Sequence, residues 1–229
     1  MKLSIIIPTY NEEDNICSLL SQLLKVKDER IAEIIVTDAG STDLTCSEAL
    51  KYPVKLITTS KQCRAYQMNV AAREAIGDVL YFVHADTRPP ISFVDDIDSA
   101  LADNYSIGSY SFKLDSKDPR LKLLSFMTRI NMLISRGGDQ TLFVTKSLFQ
   151  DMNGFDEKFV IMEDFDFIRR ARKRTKFKLL NNSVLVSARK YAKNSYTKVQ
   201  WANLNAFLMF YFGVPPQKIK EMYQRRLQS

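Results

Sequence analysis

Val79-Leu80-Tyr81-Phe82-Val83-His84-Ala85-Asp86, with Thr87 next, decides how the rest of the chain is read. An apolar run ends abruptly in an imidazole, a small residue and a carboxylate. Such a run predicts a strand buried on both faces, as in a parallel sheet. Ligands of open α/β sheets bind beyond the carboxyl ends of the strands, which is where His84 and Asp86 fall. Two apart on an extended chain, they share a side, and an imidazole beside a carboxylate is able to hold a divalent cation. The plainer reading is a cap: Asp86-Thr87 ahead of Pro89-Pro90 suits the start of the next helix.

Upstream, Leu3 to Ile7 predicts a first strand, followed by Pro8-Thr9-Tyr10-Asn11-Glu12-Glu13. Asn11 suits a helix N-cap with acids in the first turn, and Ile16, Leu19, Leu20, Leu23 and Leu24 repeat at helical spacing. This β-loop-α unit lacks the G-x-G-x-x-G of a dinucleotide site, which argues against nicotinamide chemistry. Glu33 to Asp38 predicts the second strand, ending in Asp38-Ala39-Gly40-Ser41-Thr42-Asp43. Asp38 is placed to accept hydrogen bonds from a base or ribose, while Gly40 to Asp43 also reads as a turn and helix cap. Val54 to Thr58 predicts a third strand, Lys61 to Arg64 a basic loop, and Ala65 to Ile76 a helix ended by Gly77. Arg64 is either a phosphate ligand or an exposed loop charge. Four β-α units in a row predict an α/β fold, a mostly parallel sheet with helices on both faces.

Downstream, Ile91, Val94, Ile97 and Leu101 mark a helix, and after about residue 105 the regular alternation breaks. Ile107 to Leu114 predicts a strand, Leu121 to Ile134 a helix, Arg136 to Gln140 a tight polar loop, and Thr141 to Val144 a short strand. Glu163-Asp164 lies between an apolar run and a basic helix expected from about Phe165 to Arg174. Acids there are favoured by the helix dipole alone, yet adjacent acids in apolar surroundings also suit a general base. Phe177 to Leu180 and Val184 to Val186 predict two short strands, and two helices around Pro215-Pro216 close the chain.

At 229 residues the chain fits one large domain. Its 45% hydrophobic and 26% charged fractions are ordinary for a soluble globular protein, not a disordered or collagenous one. The N-terminal apolar run is too short for a signal peptide, and no stretch reaches the roughly 20 residues of a spanning helix. Three widely spaced cysteines give neither a zinc pattern nor a disulfide framework. A cytoplasmic protein is expected, with the inner membrane face as the alternative. The net charge of +7 reads as solvated helix faces, or as attraction to anionic lipid or phosphorylated substrates. No nucleic-acid motif accompanies it. Phe207 to Val214 is expected either in the core or at a membrane surface.

Taken together the motifs resemble an inverting family 2 glycosyltransferase with a GT-A fold. The residues that carry this are Pro8-Thr9-Tyr10-Asn11-Glu12, Asp38-Ala39-Gly40-Ser41-Thr42-Asp43, Gly77-Asp78 with the strand to His84-Ala85-Asp86-Thr87, Gly138-Asp139-Gln140 and Met162-Glu163-Asp164. With Arg64-Ala65-Tyr66-Gln67-Met68-Asn69 and Ser187-Ala188-Arg189, they are similar to a subgroup of small soluble enzymes linked with arsenosugar biosynthesis.

The resemblance implies one GT-A domain over residues 1–229. Residues 1–105 would be the nucleotide-sugar-binding half, in a Rossmann-like, mostly parallel sheet. Residues 106–229 would be an α+β half for acceptor and base, with C-terminal helices. Pro8, Thr9, Glu12 and Gly40 would line the nucleotide pocket, Asp38 would bond the base, and Arg64 would face the base or the diphosphate. His84, Ala85 and Asp139 join this donor-binding set. Asp86, with His84, would hold Mn²⁺ or Mg²⁺. Arg189 would steady the leaving diphosphate, and Asp164 would act as general base with Glu163 beside it. The family usually has Asp at position 84. An imidazole there favours Mn²⁺ over the oxygen-seeking Mg²⁺ or turns instead to the ribose. The implied reaction moves a sugar from a donor, a UDP-sugar by family analogy, to an acceptor hydroxyl with inversion. The alternatives are a catalytically degenerate nucleotide-binding or membrane-peripheral protein, a nucleotidyltransferase, and a polyprenyl-phosphate sugar transferase.

Overall fold

Every residue of β1 (Leu3–Thr9) is buried, as a β-branched run needs when strands flank it and helices cover both faces. The computed structural model describes residues 1–133 and 141–228. After β1 the order is α1 (Glu13–Leu23), β2 (Ile31–Asp38), α2 (Thr45–Ala49), β3 (Lys55–Thr58), α3 (Arg64–Glu74), β4 (Val79–Phe82), β5 (Thr87–Arg88) and α4 (Phe93–Ala102). Then follow β6 (Ile107–Leu114), α5 (Pro119–Met127), β7 (Leu142–Thr145), α6 (Lys146–Asp151), α7 (Glu163–Ala171), β8 (Lys178–Val186), α8 (Arg189–Lys193), α9 (Tyr196–Tyr211) and α10 (Pro216–Gln228).

The strands form one sheet of order β3-β2-β1-β4-β7-β6-β8-β5. The first four pair in parallel, with Ile5 opposite both Ile34 and Tyr81. β7 enters antiparallel between β4 and β6, and β6 returns to parallel pairing with β8. The expected mostly parallel α/β sheet is therefore present, joined without a break to the elements after residue 105. Alternation along the strands divides the core. Leu3, Ile5, Ile7, Val79 and Tyr81 meet α1 and α4 on one face. Ile6, Ile35, Leu80 and Phe82 meet α3, α6 and α7 on the other. Under α7, Phe82, Phe149, Phe155 and Phe167 pack with ring centroids 4.8–5.5 Å apart. Each such pair adds about 0.5–1.5 kcal/mol beyond burial, which makes α7 a rigid platform.

Four local expectations are corrected. Asn11 is not the N-cap of α1; Glu12 holds that position without a side-chain bond, while Asn11 turns to φ +53° and accepts from the Thr42 amide at 2.9 Å. α5 ends at Met127, well before Ile134. α7 begins at Glu163, so both acids lie inside its first turn. Finally, Lys178–Val186 is one strand, not two. Asn181-Asn182 interrupts its apolar pattern, but an irregular register opposite Ser109–Ser111 and a 2.7 Å bond between the Ser111 and Ser183 hydroxyls carry the pairing through.

Gly108 marks how closely β6 and β8 approach. A Cβ there would lie 2.5 Å from the Lys178 carbonyl oxygen and 2.6 Å from the Phe143 ring. Gly108→Ala is expected to destabilise the protein by about 1–3 kcal/mol through overpacking, read as a lower urea midpoint at unchanged slope.

Candidate active site

The loops after β1 and β2 are locked to each other. Asp38 is fully buried, and its oxygens accept from the Gly40 amide (2.9 Å), the Ser41 amide (2.7 Å), the Thr9 hydroxyl (3.0 Å) and the Ser41 hydroxyl. Four donors fill the acceptor sites of a carboxylate, so in this conformation Asp38 shapes its own loop. Gly40 holds φ +78°, a conformation that glycine adopts without strain. The Asn11 amide donates to the Ser41 hydroxyl, and Glu13 accepts from the Leu44 amide. Pro8 and Thr9 are buried beneath this crossing.

β4 ends at Phe82, short of His84, but burial keeps alternating from Val83 to Arg88, which leaves His84 and Asp86 partly exposed on one side. The Asp86 carbonyl accepts from the Ser187 amide at 3.1 Å, and Thr87 pairs with Val186. The end of β8 is thereby stitched beside Asp86, and α8 starts there. Asp86, Ser187, Arg189, Lys190 and Lys193 line one cavity of about 180 Å³. Arg189 also reaches Glu12 across the chain at 3.4 Å. α8 and the role of Lys193 were not expected from the sequence, since five residues show no helical periodicity. The available signal was three cations in the five residues Arg189–Lys193.

His84 is pushed down from 6.5 to about 3, by burial and then by the Arg64 charge. A neutral imidazole is the form that ligates metals. Asp86 and His84 thus offer one carboxylate and one nitrogen. Among the described residues no group of three His, Cys, Asp or Glu is placed to hold a metal. Two protein ligands fit a borderline cation of the Mn²⁺ kind that takes the rest of its shell from a bound ligand and water. The depressed pKa has a stability consequence. Between pH 6.5 and about 3 the unfolded chain binds a proton at His84 that the folded protein does not. This contribution is intact above pH 6.5 and is lost as pH falls through that window. His84→Gln is expected to flatten this part of the stability curve, checked by urea midpoints across the same range.

The facing wall is α7. Met162, in the left-handed conformation at φ +66°, turns the chain into it. Glu163 is 3% exposed and ion-paired with Arg64 at 3.2 Å. Asp164 is partly exposed, and its Oδ1 accepts from the Phe165 amide at 2.8 Å. Of the two acids, Asp164 is the accessible one, while Glu163 holds Arg64.

α3 organises the centre. Arg64 at its start reaches Glu163 and acts on His84. Gln67, 4% exposed, donates through Nε2 to the Thr9 carbonyl (2.8 Å) and the Thr37 carbonyl (2.7 Å), clamping the ends of β1 and β2. Asn69 bonds Phe155 through both amide groups, 2.9 Å each way. One helix thus ties the loops after β1 and β2 to the segment before α7. Gln67 and Asn69 had no role assigned from the sequence. Their signal is two amides among Ala65, Met68, Ala71 and Ala72 on the buried face of a helix. The structure therefore joins Asp86 to Arg189 and Glu12, and Arg64 to Glu163 beside Asp164, whereas Ala85, between His84 and Asp86, is buried in the core shared with α1 and α4. Asp139 and its neighbours Gly137, Gly138 and Gln140 lie outside the described residues.

Comparison with known proteins agrees with this geometry. The sequence profile of Glycosyl transferase family 2 matches residues 4–160. A dolichol-phosphate mannosyltransferase from Pyrococcus furiosus is 38% identical over 95 residues, which are 39% of this chain and 27% of that protein. The chain thus matches only about a quarter of that relative's length. Among solved structures, TarS of S. aureus in complex with UDP-GlcNAc superposes with a TM-score of 0.70 at 18% identity, covering 99% of this chain and 72% of that one. A Pyrobaculum calidifontis mannosyltransferase with GDP-Man and Mn²⁺ gives 0.67 at 19% identity, covering 99% and 68%. These two structures share the GT-A fold with this chain. A profile match over more than half of its length shows that the chain belongs to glycosyltransferase family 2.

Proposed function

We propose that this glycosyltransferase moves a sugar from a nucleotide-sugar, of the UDP class, to an acceptor hydroxyl with inversion at the anomeric carbon. The observation that carries the reading is the cluster at the ends of β1, β4 and β8. Asp86 and Arg189 share a cavity, Arg189 reaches Glu12, and Arg64, whose charge is felt at His84, pairs with Glu163 beside Asp164. The bound donors of the two structural neighbours, UDP-GlcNAc and GDP-Man, support a nucleotide-sugar in the same place.

In this reading the donor half is residues 1–105 and the acceptor half 106–229. Pro8, Thr9, Glu12 and the loop shaped by Asp38 and Gly40 border the nucleotide. Asp86 and His84 hold the divalent cation, which when bound offsets the charge of the diphosphate. Arg189, with Lys190 and Lys193 in the same cavity, supplies fixed positive charge where the leaving diphosphate gains negative charge. Asp164 accepts the proton of the acceptor hydroxyl as it attacks from the opposite face. Glu163 keeps Arg64 in position. Membership of the His-Ala-Asp-Thr subgroup rests on sequence motifs alone.

Calorimetric titration with UDP, GDP and CDP, each with and without Mn²⁺, tests the reading. Binding of one nucleotide, dependent on metal, is expected. Absence of binding by all three would overturn the donor site.

A further inference from the structure

α9 is apolar on both faces, and only one of them is covered. Its inner side, Val199, Ala202, Ala206 and Phe210, is buried. There Phe210 meets Phe159 and Phe165, and Phe207 also packs on Phe165. The outer side repeats at spacings of three and four: Trp201 is 58% exposed, Leu204 39%, Leu208 42% and Tyr211 67%, and Phe212 just beyond is 76% exposed. A surface helix normally turns polar residues outward; one that is apolar all round has a cover on each face. An exposed stripe of this extent marks an interaction site.

Charge identifies the cover. No Asp or Glu occurs between Asp166 and Glu221, so the α8–α9 region and the start of α10 carry cations only. Lys193 precedes the stripe and is exposed, while Lys218 and Lys220 follow it at the start of α10. Positive charge therefore lies beyond both ends of an aromatic-rich stripe about 16 Å long. No helix of the described residues is long and apolar enough to cross a membrane. An apolar helix face with Trp and Tyr on it and lysines at its ends suits the headgroup–acyl boundary of an anionic bilayer.

We propose that the outer face of α9 docks this protein on an anionic lipid surface, with Trp201, Leu208, Tyr211 and Phe212 entering the interface and Lys218 and Lys220 on the headgroups. Because Phe165, one residue after Asp164, packs on the inner side of α9, docking sets the base-bearing end of α7 directly behind the membrane-facing helix. The inference does not depend on the donor assignment, since lipid binding needs no nucleotide.

Flotation of the full chain with vesicles tests it. The wild type is expected to float with phosphatidylglycerol–phosphatidylcholine vesicles, to stay behind with pure phosphatidylcholine, and to be released by high salt. Trp201→Ser with Leu208→Ser is expected to lower the bound fraction about tenfold, and Lys218→Glu with Lys220→Glu to do the same on anionic vesicles alone. Circular dichroism unchanged from wild type would show that these surface substitutions leave the fold intact. Failure of the wild type to float with anionic vesicles overturns the proposal. So does a dimer by sedimentation equilibrium that Leu208→Ser dissociates, because a second copy would then cover the stripe.

Discussion

Asparagine in place of Asp164 is expected to slow sugar transfer by about 10²- to 10⁴-fold while donor binding stays within a factor of about two. That loss corresponds to about 3–5 kcal/mol of barrier. The size follows from the lack of a substitute. The other two acids in the first turn of α7 are both buried, Glu163 engaged with Arg64 and Asp166 with Arg169 and Arg170, so neither takes over the proton. The fold tolerates the change, because an asparagine oxygen still accepts from the Phe165 amide as Asp164 does. The aromatic cluster below α7 does not involve position 164. Glu163→Gln is the informative companion. It keeps a hydrogen-bond acceptor for Arg64 but removes the charge, so its effect is expected on donor affinity more than on turnover. Single-turnover rates at saturating donor, set beside calorimetric donor binding, check both. Normal turnover by Asp164→Asn would remove the base assignment.

The parts of this architecture that were legible in the sequence are those written in local pattern. β1 and β4 announce themselves as continuous apolar runs, and α1 by leucines at helical spacing. His84 and Asp86 stood out because two polar groups ended an apolar strand. What was not legible is whatever depends on distant partners. The Arg64–Glu163 pair spans 99 residues and the Arg189–Glu12 contact 177, and no local periodicity encodes either. The sequence divides β8 at Asn181-Asn182, residues poor in strand propensity, whereas the strand runs through because β6 pairs on either side of that irregular stretch. Asn11 was placed as a cap because its type suits one. Cross-linking to Thr42 and Ser41 gives its amide and side chain better partners than the first turn of α1 does. Asp38 shows the same competition: a strand-end carboxylate reads as open to a ligand, yet in the folded chain its own loop supplies three donors and Thr9 of β1 a fourth.

The outer stripe of α9 illustrates a second limit. Phe207 to Phe212 reads equally well as core or as surface, since every residue is apolar. The three-dimensional answer is both, because a helix presents alternate sides: Phe210 is buried, whereas Leu208, Tyr211 and Phe212 are not. A run that is apolar on every side of a helix carries no phase information, so only packing decides which half remains outside.

Asp86→Ala is expected to weaken Mn²⁺-dependent nucleotide binding by about 100-fold or more, with the fold retained. The backbone there is held by other groups: the Asp86 carbonyl bonds Ser187, and the buried Thr87 pairs with Val186. The thermal midpoint should therefore change little. The consequence for binding is a change in kind as well as in strength. Asp86 is the one acid lining a cavity that also holds Arg189, Lys190 and Lys193. Without its carboxylate the cavity is purely cationic. Residual attraction for a diphosphate should then be independent of metal and steeply weakened by salt, because it rests on charge alone. Titrating UDP into wild type and variant at low and high salt, with Mn²⁺ or with chelator, separates the two contributions. His84→Ala is expected to lose less, since the carboxylate remains. If Asp86→Ala kept the metal dependence of the wild type, the cation would be held elsewhere and Asp86-Thr87 would serve only as the turn into α4.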